Sequence, residues 1–379
     1  FLFITVAFIA NGFFVFNKAE ASETNVLEDI LEKDTHWTMD GSPYLISNSL
    51  NVATGVTLTI DPGVVVKLWG TLYVSGKIIA NGEVGSEIYF TSGDDDVGGI
   101  TNTEEYCDYE NYNEEGNPIG DIVCNTLNPE PSMGDWNSII IDSTEKSIFN
   151  NVIERYSRNG LILYNGGSVD SNNFDSDNSI SIYSGMGSSS SFIRLKITAL
   201  EIQGDSHISI EDAIISNPGG EVITIYNNSS LNLKNTKVEG GGNYPLSIFN
   251  DSSVVFDNVE VSGYSSESTT LVGVWNNSSL EINKSVITSS RGDGLQVFLN
   301  SSVSATDLSV SCTNDGMSIF SNSSLNLSGG EISCPNHGIY IFSESTANID
   351  NVKISGALGG EGKDGVGIMA HSNTISDPI

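Results

Sequence analysis

A repeat governs this chain. From Ile223 the sequence runs ITIYNNSSLNLKNTKVEG, from Leu246 LSIFNDSSVVFDNVEVSG, and from Val272 VGVWNNSSLEINKSVITS. LQVFLNSSVSATDLSVSC, MSIFSNSSLNLSGGEISC and IYIFSESTANIDNVKISG follow from Leu295, Met317 and Ile339, so the starts lie 23, 26, 23, 22 and 22 residues apart. A self-similar period in this range marks a solenoid, in which each unit buries its apolar face only against its neighbours.

Taking each start as position 0, positions 0 and 2 are apolar in all six copies. Positions 8 and 10 are apolar again, as in Leu231 and Leu233 or Leu280 and Ile282, and position 15 is Val238, Val261, Ile287, Val310, Ile332 and Ile354. Alternation with period two describes strands with one face inward. Three short strands per coil of about 22 residues, divided by Asn, Ser and Gly, make a three-sided coil. Helical spacing is absent, which excludes ankyrin and HEAT repeats, and the leucine-rich repeat has a different order of Asn and Leu. Position 12 is Asn235, Asn258, Asp307 and Asn351, interrupted by Lys284 and Gly329. Asn and Asp tolerate left-handed backbone, and coils stacked about 4.8 Å apart would set them in a ladder, a structural device first. Extended backward, the register gives starts at Ile139, Leu161, Ile180 and Leu200, with the coil from Ile180 irregular; forward it gives one more start at Val366.

Residues 1–16 are apolar and Ala19-Glu20-Ala21 follows, the pattern of a secretory signal peptide over 1–21, with a short membrane anchor as the alternative. Without an initiator Met or a basic start, the record is expected to begin inside a longer reading frame and to be cut within its last coil. Residues 22–36 read as a linker or cap, 37–92 as an N-terminal cap and first coils, 93–135 as an acidic inserted loop and 136–379 as the remaining coils. The inserted loop keeps no apolar period, and no Lys or Arg occurs between Lys77 and Lys146.

GVTLTIDPGVVVKL, followed by LYVSGKIIANG, EIYFTS, GDDDVGG and GDWNSIII, resembles the start of secreted right-handed parallel β-helix proteins of bacteria and archaea. The NSSLNLKNTKVEG repeats are similar to the pectate-lyase-type repeat. The resemblance covers roughly 37–379 and implies an all-β fold, a right-handed parallel β-helix built as a single-stranded solenoid. It implies little about activity, because that superfamily mixes lyases, hydrolases, adhesins and proteins with no assigned role.

Fifteen basic residues against 48 acidic ones give a net charge of −33. Phosphate binding needs clustered Lys and Arg, so the composition argues against nucleic acid as a partner. Four cysteines in an exported chain suggest two bridges. Cys312 and Cys334 hold the same position in adjacent coils and stacking brings them within bonding range; Cys107–Cys124 would tie the inserted loop. A free stacked pair is the alternative.

Asp94, Asp95, Asp96, Asp108 and Glu110, with five further carboxylates, crowd the inserted loop and are candidate calcium ligands, since calcium takes several oxygens in irregular geometry. A solvated acidic loop is the alternative. Position 3 of the coils is Tyr164, Tyr183, Tyr226, Phe249, Trp275, Phe298, Phe320 and Phe342. Strict alternation points it outward, and Tyr164, Tyr183, Tyr226 and Trp275 are the candidates for packing sugar faces. Rings folded over a corner to shield the core are the structural alternative, favoured for Phe298 to Phe342. Hydrolases of the resembled type use paired Asp with His-Gly and Arg-x-Lys. Here Arg194-Leu195-Lys196 and His337-Gly338 occur in reverse order and without the companion Asn-Thr-Asp, and are taken as chance. No catalytic residue is assigned. The N-x-S/T triplets lie at the repeat's turn and need no other explanation. The expected protein is a secreted or cell-surface, non-enzymatic structural or adhesive rod that contacts a polysaccharide or another surface component, does not span the membrane once mature, and has calcium as its one candidate cofactor. A polysaccharide lyase or glycoside hydrolase is the alternative.

Overall fold

The computed structural model describes residues 23–99, 130–183, 187–217, 219–242, 244–263, 270–356 and 365–371, together with the backbone of strands Glu104–Tyr112 and Pro118–Leu127. The expected signal segment 1–21 lies outside the described residues. The chain forms a parallel β-solenoid of about 13 turns. One sheet stacks 14 first strands, one per coil, from Ile30–Leu31 to Val366–Ala370; a second sheet of 22 strands carries the second and third strands. Among the described residues every strand-to-strand pairing between coils is parallel. A parallel connection within one sheet is right-handed with few exceptions, the sense that the resemblance implies.

The register matches the repeat residue for residue. Ile139 pairs with Leu161, Leu161 with Ile180, Ile180 with Leu200 and Leu200 with Ile223. Leu246, Val272, Leu295, Met317 and Ile339 continue the same column. The coil from Ile180 keeps its first strand in the column but is irregular beyond it, as expected: Ile193, thirteen residues past Ile180, aligns with Asn172, eleven past Leu161, so two extra residues precede its second strand. The last coil needs a correction: Ile339 pairs with Ile368, not Val366. Residues 23–37 pack on the end of the solenoid. Of linker and cap, the pairing of Thr24–Asn25, Ile30–Leu31 and Thr35–Trp37 with the strands of the next coil favours the cap.

Inward residues of all three strands form one continuous core from Leu31 to Ile339. Full burial of such a side chain is worth about 1.5–3 kcal/mol, and here each is buried by the coils above and below. Left-handed backbone turns the chain at two corners. After the first strand come paired residues such as Asn227 and Asn228 (φ 60° and 58°) or Asn276 and Asn277 (φ 55° and 61°). Between second and third strands comes one residue, such as Asn235 (φ 48°) or Asn258 (φ 56°).

The inserted segment is an antiparallel hairpin, Glu104–Tyr112 against Pro118–Leu127, with Cys107 directly opposite Cys124 in the backbone register. Its side chains lie outside the described residues. Cys312 and Cys334 are disulfide-bonded across adjacent coils, with Cα atoms 5.0 Å apart.

Candidate functional site

The outer face of the first-strand sheet is built from positions 1 and 3. Position 3 carries the ring row, and position 1 is a small residue in half of the ten coils: Ser181, Thr224, Ser247, Gly273 and Ser318. Where position 1 is small, a ring can lean across its own strand. Trp275 does so fully. A Cβ on Gly273 would stand 1.8 Å from the indole, so only glycine fits beneath it. Trp275 stacks on Phe249 at 4.5 Å and meets the edge of Tyr244 at 4.9 Å, leaving it 8 % exposed. Its ring faces are covered, and as a sugar platform Trp275 is withdrawn. Phe298, Phe320 and Phe342 contact one another edge to face at 6.3 and 6.4 Å and are half-buried, in keeping with shielding. Tyr164 is open, 47 % exposed.

Tyr183 and Tyr226 belong to a different arrangement. The coil between them carries Gln203 at position 3 and Glu201 at position 1. Tyr183 Oη donates to Glu201 Oε2 at 2.8 Å, and Tyr226 Oη donates to Glu201 Oε1 at 2.6 Å. Burial, then the hydrogen bond to Glu201, raises both phenol pKa values, so both stay protonated donors at neutral pH. Beside them lies a groove of about 330 Å³ lined by Ser181, Glu201, Glu221, Thr224 and Tyr226. A fixed carboxylate, two oriented phenol rings and a shallow trough can hydrogen-bond the hydroxyls of a sugar and pack its apolar face. Glu201 is the residue that sequence reasoning missed. Its signal was available, as the one carboxylate in position 1 where the ring row is interrupted.

At the base of the insertion, Asp94, Asp95 and Asp96 form a turn fastened to the solenoid. Asp95 is 4 % exposed, and its carboxylate accepts from Thr91 Oγ1 at 2.5 Å and from the Val97 amide at 3.1 Å. Lys67 is fully buried and donates to the carbonyl oxygens of Asp95 and Gly99. Burial lowers its pKa, opposed by the Asp95 and Asp96 charges. The Asp94 amide donates to Ser92 Oγ, which in turn donates to Asp135. Asp95 is thus committed to holding its own loop. The side chains of Asp108 and Glu110 lie outside the described residues. Among the described residues no three His, Cys, Asp or Glu side chains converge as a metal site.

One further cluster lies near the disulfide, at the corner entering the first strand. Asp293, Asp315 and His337 occupy one column in three successive coils, each two residues ahead of its position 0. Asp293 Oδ1 accepts from the Asn314 amide group at 2.6 Å and the Asp315 backbone at 3.0 Å. Asp315 Oδ1 accepts from Asn336 at 2.6 Å and meets His337 Nδ1 at 2.8 Å. Burial, and next the Asp315 charge, raise the Asp293 pKa against those hydrogen bonds. Tyr340 stacks on His337 at 5.0 Å. Sequence reasoning weighed His337-Gly338 as an isolated motif; the coil spacing of 22 residues places two carboxylates below it.

No protein-family model matches this chain and no curated protein matches it. A solved structure it resembles in shape is the A-module of the Azotobacter vinelandii mannuronan C-5 epimerase AlgE4. That likeness has a TM-score of 0.31 and 12 % identity, covering 83 % of this chain and 88 % of that one. At that level it contributes nothing to the chemistry argued for this chain.

Proposed function

We propose that the chain is an exported β-helix rod that binds a neutral, hydroxyl-rich glycan on its first-strand face without cleaving it. The observation that carries this is the convergence of Tyr183 and Tyr226 on Glu201 beside a groove. Glu201 and Glu221 in the groove, on a chain of charge −33, repel an anionic polymer and favour a neutral one. Among the described residues no helix is long and apolar enough to cross a membrane, and export is the setting that the apolar start and the disulfide favour. The test is retention of the chain on a panel of neutral and acidic polysaccharides, with and without calcium, with mass spectrometry of anything released. Replacing both Tyr183 and Tyr226 by Phe should cut retention on the neutral polymer at least tenfold with an unchanged thermal midpoint. Full retention by the double variant would sink the assignment.

A second function, glycan hydrolysis, has one observation in its favour. Asp293 and Asp315 sit one coil apart in unlike environments, the first pushed toward its protonated form and the second hydrogen-bonded to His337. Two neighbouring carboxyl groups, one of them pushed toward its protonated form, are the kind of pair that an acid and a base or nucleophile require. Released reducing-end products that disappear in an Asp315→Asn variant would establish it and displace the binding-only assignment.

A further inference from the structure

The corner between second and third strands, across the coil from the ring face, holds one left-handed residue per turn. Asn, Asp and Gly fill it in most coils, but Arg194 (φ 54°) and Lys284 (φ 47°) do so in two. A long side chain in this conformation is strained, and a strained residue points toward function when its surroundings supply one. Arg194 has a structural explanation, because its guanidinium donates to Asn172 Oδ1 at 3.0 Å through Nε. Lys284 has none. It breaks a ladder in which Asn235 donates to Asp212 at 3.1 Å and Asn258 donates to Asn235 at 2.9 Å.

At this break lies a groove of about 330 Å³, lined by Asn235, Lys237, Asn258, Glu260, Lys284 and Val286. Lys237, Glu260 and Val286 are register partners in successive coils. Glu260 is therefore flanked by Lys237 from the coil below and Lys284 from the corner of the coil above. Lys234 is engaged by Glu211 at 2.6 Å, whereas among the described residues neither Lys237 nor Lys284 has an ion-pair partner. Two unengaged ammonium groups in one groove are a local inversion of charge on a chain with 15 basic and 48 acidic residues.

We propose that this groove is a subsite for one acidic sugar, its carboxylate or sulfate seated between the Lys237 and Lys284 ammonium groups and its hydroxyls donating to Asn258 Oδ1 and Glu260. Glu260 selects for hydroxyl donors and works against a bare inorganic anion. The negative charge of the rest of the molecule is screened over about 8 Å at physiological salt, so the two groove cations dominate at contact. This site is independent of the tyrosine groove and tolerates the opposite charge class.

The test is calorimetric titration of the whole chain at about 0.15 M ionic strength. The probes are an oligogalacturonate, a sulfated oligosaccharide, a neutral glucan oligomer of equal length and sodium sulfate. The acidic oligosaccharides should bind, and sulfate alone should bind at least tenfold more weakly. Lys284→Asn places a favoured residue at the left-handed corner, so its thermal midpoint should match or exceed that of the parent while acidic-sugar affinity falls at least tenfold. Lys237→Gln should lose affinity alike, and Tyr226→Phe should not. The proposal is overturned if Lys284→Asn binds the acidic oligosaccharides like the parent, if no acidic oligosaccharide binds, if sulfate binds equally well, or if Lys284→Asn weakens the neutral oligomer as much as the acidic ones.

Discussion

Glu154 shows how one inward residue makes an apolar solenoid respond to pH. It ends the strand Ser147–Glu154, points into the core and has no exposed surface. Ser176 of the next coil donates to Oε2, and Oε1 has no hydrogen-bond partner. Burial raises its pKa to about 7 against an ordinary 4.5. The folded protein therefore holds a proton that the unfolded chain releases, so stability is fully present below pH 4.5 and is lost as pH rises through about 7. A shift of that size corresponds to about 3 kcal/mol. Glu154→Gln keeps a hydrogen-bonding group but cannot ionise. Urea midpoints taken between pH 4.5 and 8 should fall in the parent relative to the variant and then level off, with the variant the more stable above pH 7. Parallel curves for the two proteins would show that Glu154 is ionised in the fold. Little in the sequence marks this residue, because the apolar column is interrupted only here and at its partner Ser176, and the periodicity around it survives.

At the scale of the coil, the Asn-Asn-Ser-Ser turn explains itself once its backbone is seen. Two residues in left-handed conformation swing the next serine inward, where it is buried. The amide of each such serine donates to the hydroxyl oxygen of the next: Ser229 to Ser252 at 3.3 Å, Ser252 to Ser278 at 3.2 Å, Ser278 to Ser301 at 3.2 Å and Ser301 to Ser323 at 3.2 Å. This hydroxyl ladder seals a corner whose amides would otherwise be orphaned. Ser278→Ala would leave the Ser252 amide buried without an acceptor, at about 1–3 kcal/mol, whereas the neighbouring outward Ser253→Ala should be near neutral. Denaturant midpoints measure both, and equal effects would refute the ladder's role. The strand positions, the register of ten consecutive coils and the Cys312–Cys334 bond were legible in the sequence, because stacking repeats one chemical requirement in every turn. Sites are not repeated. Glu201, the Asp293–Asp315 pair and Lys284 are local departures from their columns, and a departure has meaning only when its neighbours one coil away are known. Trp275 was misjudged for the same reason: alternation points it outward, but Gly273 beneath it lets the indole fold down.

For the whole molecule, two opposing charge effects can be weighed. Exposed ion pairs staple adjacent coils: Lys146 to Asp170 at 3.1 Å, Lys196 to Asp175 at 3.1 Å, Lys234 to Glu211 at 2.6 Å and Lys353 to Glu331 at 2.7 Å. Such pairs contribute little at a solvated surface and are weakened further by salt. Against them stands the repulsion of 33 unmatched negative charges carried on parallel stacked coils, where neighbouring carboxylates recur at a spacing of about 4.8 Å. That repulsion is also screened by salt, and it disfavours the folded rod more than the expanded chain. With fifteen basic residues available against 48 acidic ones, the unmatched charges outnumber the pairs and their screening should dominate. The thermal midpoint is therefore expected to rise as sodium chloride increases from about 0.02 to 0.5 M, most steeply at the low end, where the Debye length shrinks fastest. A midpoint that falls with salt would mean that the coil-to-coil ion pairs outweigh the net charge. The excess acid would then need a local explanation, such as cation binding by the inserted hairpin.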